Sequence, residues 1–356
     1  MRILTFIGTP AQIGEAFGEA SRANIHELYR RRVDNAIAQA LKYGGQTVTE
    51  ADMLAVAERS LNVTRAYDPA GFEELEGIAR GADLAIVKVL AMNGLTDFRD
   101  VLSWPNPAEQ AAPLDDGGCT AIVAQADATD GGILCGQSWD LATDNLPFVL
   151  GVVRKPTNAP ATVTLTTDGC LSLIGMNEHG LCVGTTNIRT TDARPGVNYL
   201  SIIHRALAQR TFEDAVRAIE EAPRAGAHFY YVTSPDRATT LECSARVAHR
   251  RDLSSGVAVH ANHCLLPENR AIEGNAPNPS TLHRQRRMEE LGTTRPLTLD
   301  RLAGFFADTD GGVNAICRDD YDGLNTNGAV VMAPARREIR LVHGVPSRNP
   351  WHSMTI

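Results

Sequence analysis

The stretch DDGGCTAIVA, residues 115–124, places a cysteine behind two glycines and at the start of a β-branched run. A second apolar run, ILCGQ at residues 133–137, follows after the turn-forming segment DATDGG at residues 127–132. Two such runs separated by Asp, Thr and Gly are typical of a β-hairpin. Cys119 is therefore predicted to stand at the first position of a strand, beside a partner strand.

Short strand-like runs and helical segments alternate through the rest of the chain beyond this hairpin. The predicted strands cover residues 148–153, 162–166, 170–175, 181–187, 228–233, 239–243, 246–250, 257–260, 329–333 and 338–343. Helices are predicted at 199–209, 212–221, 281–291 and 299–307. Strands grouped in this way, with helices between the groups, indicate an α+β fold in which two antiparallel sheets pack together under outer helices.

The first part of the chain has a different pattern. From Ala11 to about Ala91, apolar residues recur at intervals of three and four, which predicts three to five helices. Thr49 is placed to cap the second helix, and Asp68-Pro69 to end it. Because residues 104–118 contain three prolines and end in a diglycine, we expect an exposed linker there. The chain is thus predicted to divide into a helical N-terminal segment, 1–118, and a strand-rich part, 119–356.

Composition and charge exclude several classes of protein. The chain has 356 residues, 43% of them hydrophobic, and a formal net charge of −8. An acidic chain has no general attraction to nucleic acid or to anionic membranes. The N-terminal apolar run is too short for a signal sequence, and no stretch reaches the roughly 20 apolar residues of a membrane span. We therefore expect a cytoplasmic protein without nucleic-acid or membrane partners. Its 7 cysteines, an odd number without a CxxC pair, argue against a disulfide framework.

The context of Cys119 suggests more than a buried thiol. If the Gly118–Cys119 bond were cut, Cys119 would carry both a thiol and a free α-amino group. An α-amine has an ordinary pKa of about 7.7 to 8.0, so it can act as the base for its own thiol. The preceding glycine gives the backbone the freedom that attack of the thiol on the Gly118 carbonyl requires. Without this context, the ordinary interpretation of a cysteine here is an inert thiol at the edge of a core.

The segments GCT, 118–120, and GQSWD, 136–140, resemble the isopenicillin N acyltransferase family, the acyl-coenzyme A:6-aminopenicillanic acid acyltransferases. These enzymes are cysteine N-terminal nucleophile hydrolases. The resemblance continues, in order and over most of the chain, through GEAFGE (14–19), EELEGIA (73–79), GMNEHGL (175–181), TTN (185–187), HANH (260–263), STLHRQRR (280–287) and ICR (316–318). It implies an αββα sandwich and a precursor that cleaves itself between Gly118 and Cys119, whose two fragments remain associated.

The resemblance also implies a set of site residues. Cys119 would be the nucleophile, and Asp140 would orient its freed amine by accepting a hydrogen bond. Asn262 and Asn187 would help to hold the nucleophile and the oxyanion, a task for which neutral amide donors are suited. Arg284 would support the cysteine through hydrogen bonds. Taken alone, Asp140 and the two asparagines can also be explained as turn or strand-end residues, and Arg284 as a residue of a solvated helix face.

The implied activity is cleavage of a linear amide bond in a small N-acylated compound, through an acyl-enzyme on Cys119 and with no cofactor or metal. Water or an amine would accept the acyl group. Two alternatives remain open: an uncleaved binding protein on the same scaffold, and a metal-dependent hydrolase built on His260 and His263 with His283. Whether the chain forms a homo-oligomer is also left open.

Self-cleavage predicts two fragments of roughly 13 and roughly 26 kDa, obtained by scaling the mass with length, of which the larger begins Cys-Thr-Ala-Ile. Cys119→Ala should leave the full-length chain intact, because it removes the attacking thiol. Mass spectrometry of freshly purified protein checks both. A single full-length species in the wild-type protein would contradict the prediction.

Overall fold

Two β-sheets form the centre of the computed structural model, which describes residues 1–103, 117–274, 276–321 and 323–356. The larger sheet has the strand order β1 (Ile3–Gly8), β4 (Val149–Pro156), β5 (Thr162–Thr167), β6 (Ile174–Asn177), β7 (Cys182–Asn187), β8 (His228–Thr233), β9 (Ala238–Cys243) and β10 (Ala248–Asp252). The smaller sheet has the order β11 (Val257–His260), β2 (Gly118–Ala124), β3 (Leu134–Ala142), β12 (Leu324–Ala333), β13 (Glu338–His343) and β14 (His352–Thr355).

Helices cover both outer faces of the pair of sheets. On the side of the larger sheet lie α1 (Pro10–Gly44), α2 (Glu50–Tyr67), α3 (Pro69–Ala82), α4 (Ile86–Asn93), α5 (Leu95–Ser103), α6 (Tyr199–Leu207) and α7 (Phe212–Glu220). A short α8 (Pro267–Arg270) precedes α9 (Pro279–Leu291) and α10 (Leu299–Phe305), which pack on the smaller sheet. The expected α+β class and αββα layering are confirmed. None of the helices in the described residues is both long enough and apolar enough to span a bilayer.

The period-two pattern of β2 explains how the layers are joined. Cys119, Ala121 and Val123 contribute to the core between the two sheets. Ile122 and Ala124 belong instead to the core between the smaller sheet and α9 and α10. Since successive side chains of a strand point to opposite faces, the strand that contains Cys119 directs that residue into the space between the sheets.

Most predicted elements are present near their expected positions. The hairpin of β2 and β3 is confirmed as an antiparallel pair. Thr49 accepts a hydrogen bond from the Asp52 N–H, and α2 ends at Tyr67, so the expected N-cap and the expected end at Asp68-Pro69 are confirmed. Asp68 also caps α3 by accepting from the Gly71 N–H, which the sequence pattern did not predict. One strand starts four residues later than expected, because β6 covers Ile174–Asn177 rather than 170–175.

The N-terminal segment is not helical throughout. Its first residues form β1, which pairs in parallel with β4 and thereby joins the larger sheet. The run ILTFIG is apolar enough for a strand, but its partner lies almost 150 positions away in the sequence, so no local pattern could reveal the pairing. Residues 104–116 of the expected linker lie outside the described residues. Division of the chain into 1–118 and 119–356 stays a prediction.

Helices α1 and α3 approach each other through glycines spaced four residues apart, Gly14 and Gly18 on α1 and Gly77 and Gly81 on α3. A Cβ atom on Gly77 would lie within 3.0 Å of the Ala11 carbonyl oxygen, and one on Gly14 would meet the Glu74 carbonyl equally closely. Residues four apart share one helix face, so the glycines let the two backbones touch.

Gly77→Ala should lower the free energy of unfolding by about 1 to 3 kcal/mol, because its methyl group would force the two helices apart. Gly304→Ala, in exposed space on α10, is the matched control. Alanine's higher helix propensity should leave that variant unchanged or slightly more stable. Denaturant unfolding measures both, and equal stability of Gly77→Ala and wild type would show that the helices do not depend on this contact.

Candidate active site

Strand pairing places Cys119 and Asp140 side by side at one end of the smaller sheet. In the register of β2 and β3, Cys119 lies opposite Trp139, and Gly118 lies opposite Asp140. Cys119 is 7% exposed, and Asp140 is buried. The hairpin predicted from sequence therefore makes the cysteine and the aspartate neighbours at this end of the sheet.

A cavity of about 640 Å³, including its opening to solvent, lies over this strand end. Its lining residues are Thr96, Gly117, Gly118, Cys119, Trp139, Asp140, Leu141, Asn187, Arg189, Asn262, Glu273 and Asn278. The structure thus brings four of the five expected site residues to one cavity, from β2, β3, β7 and the loop after β11. The cavity also contains opposite charges, from Arg189 and Glu273, and an amide, from Asn278. These residues were not predicted, because no sequence motif contained them.

Arg284 lies beneath the cavity and contacts the cysteine through the backbone. Its guanidinium donates to the carbonyl oxygen of Cys119, to Oγ1 of Thr120 at 3.1 Å and to Oδ1 of Asn262 at 2.9 Å. The residue is fully buried, so it does not belong to a solvated helix face. Its Nε also donates to Oγ of Ser280, one turn earlier on the same face of α9, at 3.1 Å.

Asn262 contacts the cysteine as an acceptor. Its Oδ1 accepts a hydrogen bond from the main-chain N–H of Cys119 at 2.7 Å. Its Nδ2 donates to the carbonyl oxygen of Asn187 at 2.8 Å. In the intact chain the nitrogen of Cys119 therefore donates to Asn262, and the expected hydrogen bond of its freed amine to Asp140 stays a prediction. The two asparagines are in direct contact.

Asp140 is held by partners from outside the hairpin. Its Oδ1 accepts a hydrogen bond from Oγ1 of Thr326 on β12 at 2.7 Å. Its Oδ2 lies 3.6 Å from Nε of the buried Arg318. Thr326 also accepts from the main-chain N–H of Arg318 at 2.9 Å, which links the three residues. Arg318 was visible in the segment ICR at residues 316–318, but nothing local in that segment indicated its partner.

The surroundings keep the thiol of Cys119 protonated in the intact chain. Burial, and after it the negative charge of Asp140, raise the pKa of Cys119 to about 12. Arg284 and hydrogen bonds from the Asn187 backbone and the Gln137 side chain act in the opposite direction. Because a thiolate is the reactive form of cysteine, this site needs a base before the thiol can attack.

Only glycine fits at the two positions before Cys119, because a side chain there would clash with neighbouring atoms. Gly117 has a φ of 115°, in the region that favours glycine, and a Cβ atom there would lie 2.5 Å from the Asp140 carbonyl oxygen. A Cβ atom on Gly118 would lie 2.5 Å from Nη2 of Arg284. Because neither glycine has a side chain, the Gly118–Cys119 bond can lie close to Arg284 and Asn262.

The histidines of the alternative metal site have other contacts. His260 stacks on Phe229 at a centroid distance of 4.0 Å, and its Nδ1 lies 2.6 Å from Oγ1 of Thr186. Nδ1 of His263 lies 3.1 Å from Oγ1 of Thr281. His283 is elsewhere, against the Asp310 carbonyl oxygen at 3.0 Å. Across the described ranges, no three His, Cys, Asp or Glu side chains are grouped so that they could hold a metal ion.

The chain matches a known protein family over more than half of its length. Residues 129–348 match the family described as AAT, acyl-coenzyme A:6-aminopenicillanic acid acyl-transferase. The chain belongs to this family. The matched range contains Asp140, Asn187, Asn262 and Arg284, and it begins ten residues after Cys119. The relationship expected from the sequence motifs is therefore confirmed.

One curated relative in this family shares 26% identity over 323 residues, which is 90% of this chain and 85% of the relative. It is the acyl-coenzyme A:6-aminopenicillanic-acid-acyltransferase 40 kDa form of Emericella nidulans. Similar solved structures include penicillin V acylase from Agrobacterium tumefaciens, with a TM-score of 0.41 and 14% identity over 67% of this chain and 86% of that one. A mutant form of conjugated bile acid hydrolase from Clostridium perfringens has a TM-score of 0.40 and 12% identity, over 67% of this chain and 92% of that one.

The pH dependence of self-cleavage should reflect the raised pKa of Cys119. Below a pKa of about 12, the thiolate fraction rises about tenfold with each pH unit, so the cleavage rate should rise with pH through the neutral range. Asp140→Asn removes a charge that raises this pKa, and it should move the pH profile toward lower pH.

Time courses of cleavage of freshly refolded precursor, taken across pH 6 to 9, give the slope of the logarithm of the rate against pH and the displacement of the variant's line from that of the wild type. Asp130→Asn, in the exposed turn of the same hairpin, is the matched control and should leave the profile unchanged. A rate independent of pH, or a profile that Asp140→Asn leaves in place, would contradict this electrostatic account.

Proposed function

We propose that this protein is a cysteine amidohydrolase or acyltransferase of the N-terminal nucleophile type, activated by cleavage of its own Gly118–Cys119 bond. Membership of the acyltransferase family supports the class of reaction. One observation carries the residue assignment: the N–H of Cys119, at the cavity wall, donates to Oδ1 of Asn262 at 2.7 Å while Arg284 binds the carbonyl of the same residue. Such anchoring fixes the nitrogen that would become the catalytic amine.

Maturation would proceed by an N-to-S acyl shift. The thiol of Cys119 loses its proton, and Sγ attacks the carbonyl carbon of Gly118. The C–N bond breaks, the nitrogen takes up a proton, and a thioester joins Gly118 to Sγ. Water then hydrolyses the thioester, which releases the Gly118 carboxylate and leaves Cys119 with a free thiol and a free amine.

The freed amine would supply the base that the buried thiol needs. It accepts the thiol proton as Sγ attacks the carbonyl of an amide substrate, and it returns that proton to the leaving amine. Asn262 Oδ1 accepts from this nitrogen in the intact chain, and it would accept from the freed amine as well. Donors at the cavity wall, from Asn187 and Asn262, would stabilise the oxyanion of the tetrahedral intermediate. Water hydrolyses the acyl-enzyme to a carboxylic acid, which regenerates the thiol.

The substrate would be a linear amide of a small N-acylated compound. The cavity that exposes Cys119 opens to solvent and is lined by polar side chains of Asn187, Asn262 and Asn278, which would hold the amide group of such a compound. Its opening to solvent favours water as the acyl acceptor, whereas the name of the curated relative describes acyl transfer to an amine, 6-aminopenicillanic acid. Both outcomes use the same thioester, so they differ only in the acceptor.

The two fragments would remain associated after cleavage. Strand β1 pairs with β4 over its full length. Buried polar contacts also cross the boundary: an ion pair of Glu74 and Arg154 at 2.8 Å, and a hydrogen bond between Asp97 and His228 at 2.8 Å. Separation would expose apolar surface and leave these buried groups without partners, which is costly.

A panel of N-acyl amino acids and N-acyl amines tests the activity directly. Matured wild-type protein should release free amine from at least one member, and Cys119→Ala should release none. Added hydroxylamine should divert the acyl group to a hydroxamate, since it competes with water for the thioester. An intact chain with no turnover would instead favour a binding protein on this scaffold.

Two variants of Asn262 separate its acceptor and donor roles. If it is an oxyanion-hole donor, Asn262→Ala should lower kcat roughly 100- to 1000-fold, while KM changes far less. Asn262→Asp keeps an acceptor for the Cys119 amine but lacks the Nδ2 donors, so it should also lose kcat. The assay uses a pre-cleaved enzyme in which Cys119 follows a removable initiator methionine, so that maturation does not limit the signal. Unchanged kcat with raised KM in both variants would identify a substrate-binding asparagine instead.

A further inference from the structure

A second cavity, of about 470 Å³ including its opening, lies where α3 and α6 meet the turn between β4 and β5. It shares no lining residue with the active-site cavity among the described residues. Four ionisable side chains line it: Asp68, Glu74, Arg154 and His204. None of these four residues has a part in the proposed reaction at Cys119.

Two of these groups neutralise each other. Arg154 donates from Nε to Oε1 of Glu74 at 2.8 Å, and both side chains are buried. The second carboxylate oxygen, Oε2, lies 3.6 Å from Nε2 of His204, which is beyond hydrogen-bond range. Nδ1 of the same histidine pairs with Oγ of Ser172 at 3.0 Å. One oxygen of Glu74 is thus left facing an imidazole without a hydrogen bond to it.

Asp68 and Thr162 each contribute a polar atom that the protein does not satisfy. Asp68 is 7% exposed and Thr162 is 6% exposed, yet Oδ2 of the first and Oγ1 of the second have no hydrogen-bond partner among the described residues. The other oxygen of Asp68 accepts from the main-chain N–H of Gly71 at 3.1 Å, as the cap of α3. A buried polar atom without a partner costs free energy, so a ligand that supplies the missing donors would be favoured.

The charges of the cavity favour a cation. Asp68 and Glu74 carry two carboxylates, and Arg154 compensates one of them. Burial lowers the pKa of His204, so the imidazole is mostly neutral at pH 7. Burial likewise raises the pKa of Asp68, which is the signature of a carboxylate that lacks enough compensating charge or hydrogen bonds.

The remaining walls define the shape of the ligand. Apolar side chains of Pro10, Ile13, Pro156 and Pro160 surround the polar end. A metal ion does not fit, since Asp68, Glu74 and His204 are not grouped as ligands in the part of the chain that the structure describes. An organic cation with a short hydrocarbon body matches both the acidic end and the apolar walls.

We propose that this cavity binds a small primary alkylammonium ion. Its N–H donors match the two unpartnered acceptors, Oδ2 of Asp68 and Oγ1 of Thr162, and its charge lies beside the carboxylate of Glu74. Its alkyl chain lies against the prolines and Ile13. The site is independent of the active-site cavity, and it recognises a different chemical group from the acyl amide that reacts at Cys119.

Isothermal titration calorimetry with n-butylammonium chloride tests the proposal on the full chain. Saturable binding of one ion is expected in the wild type and in Cys119→Ala, so the result does not depend on catalysis. n-Butanol, which lacks the charge, and tetramethylammonium, which lacks N–H donors, should bind at least about tenfold more weakly. Absence of saturable heat with butylammonium, or equal binding of the two comparison compounds, overturns the proposal.

Variants assign the binding to this cavity. Asp68→Asn keeps a good helix cap but loses the charge, and it should weaken butylammonium binding about tenfold or more. Thr162→Val, of nearly equal shape, should weaken binding less and provides a second test if Asp68→Asn fails to fold. Glu76→Gln, on the exposed side of the same helix α3, is the matched control and should bind as the wild type does. Unaltered binding in both Asp68→Asn and Thr162→Val refutes the assignment.

Discussion

The buried guanidinium of Arg284 joins the parts of the candidate active site. It binds the backbone carbonyl of Cys119, the hydroxyl of Thr120 and the side-chain oxygen of Asn262, which come from β2 and from the loop after β11. Burial of an ion costs several kcal/mol unless hydrogen bonds replace its hydration, and here neutral acceptors do so. An arginine in this position is useful because its planar fork can reach several oxygens at once.

Ser280 connects this arginine to the second charged group of the site. Its Oγ accepts hydrogen bonds from both Arg284 and Arg318, and Arg318 in turn faces Asp140. Two buried guanidinium groups therefore share one hydroxyl, and one of them, that of Arg318, faces the carboxylate. Even so, burial dominates the electrostatics of Cys119 and keeps its pKa high. The proposed self-cleavage would supply a proton acceptor for this thiol, the freed α-amine of the same residue.

The N-terminal segment is built into the catalytic fold rather than attached to it. Strand β1 extends the larger sheet, and the glycine contact of α1 with α3 holds the helices in one layer above it. Asp97 on α5 forms a buried pair with His228 on β8, whose Nδ1 reaches Thr185 on β7 at 3.3 Å. The proposed cut before Cys119 would thus change chain connectivity while leaving the core intact.

Local patterns in the sequence were enough to place Cys119 at the start of a strand, to pair that strand with the one that ends near Asp140, and to locate the N-cap at Thr49 and the helix end at Asp68-Pro69. These features depend on neighbouring residues, whose periodicity and turn chemistry act over a few positions. The family motifs added Asn187, Asn262 and Arg284. Three other features required the folded chain: the pairing of β1 with β4, the contact of Arg318 with Asp140, and the direction in which the Asn262 amide faces Cys119. Each depends on groups separated by more than a hundred positions in the sequence, and only packing of the two sheets and their helices brings such groups within hydrogen-bond range.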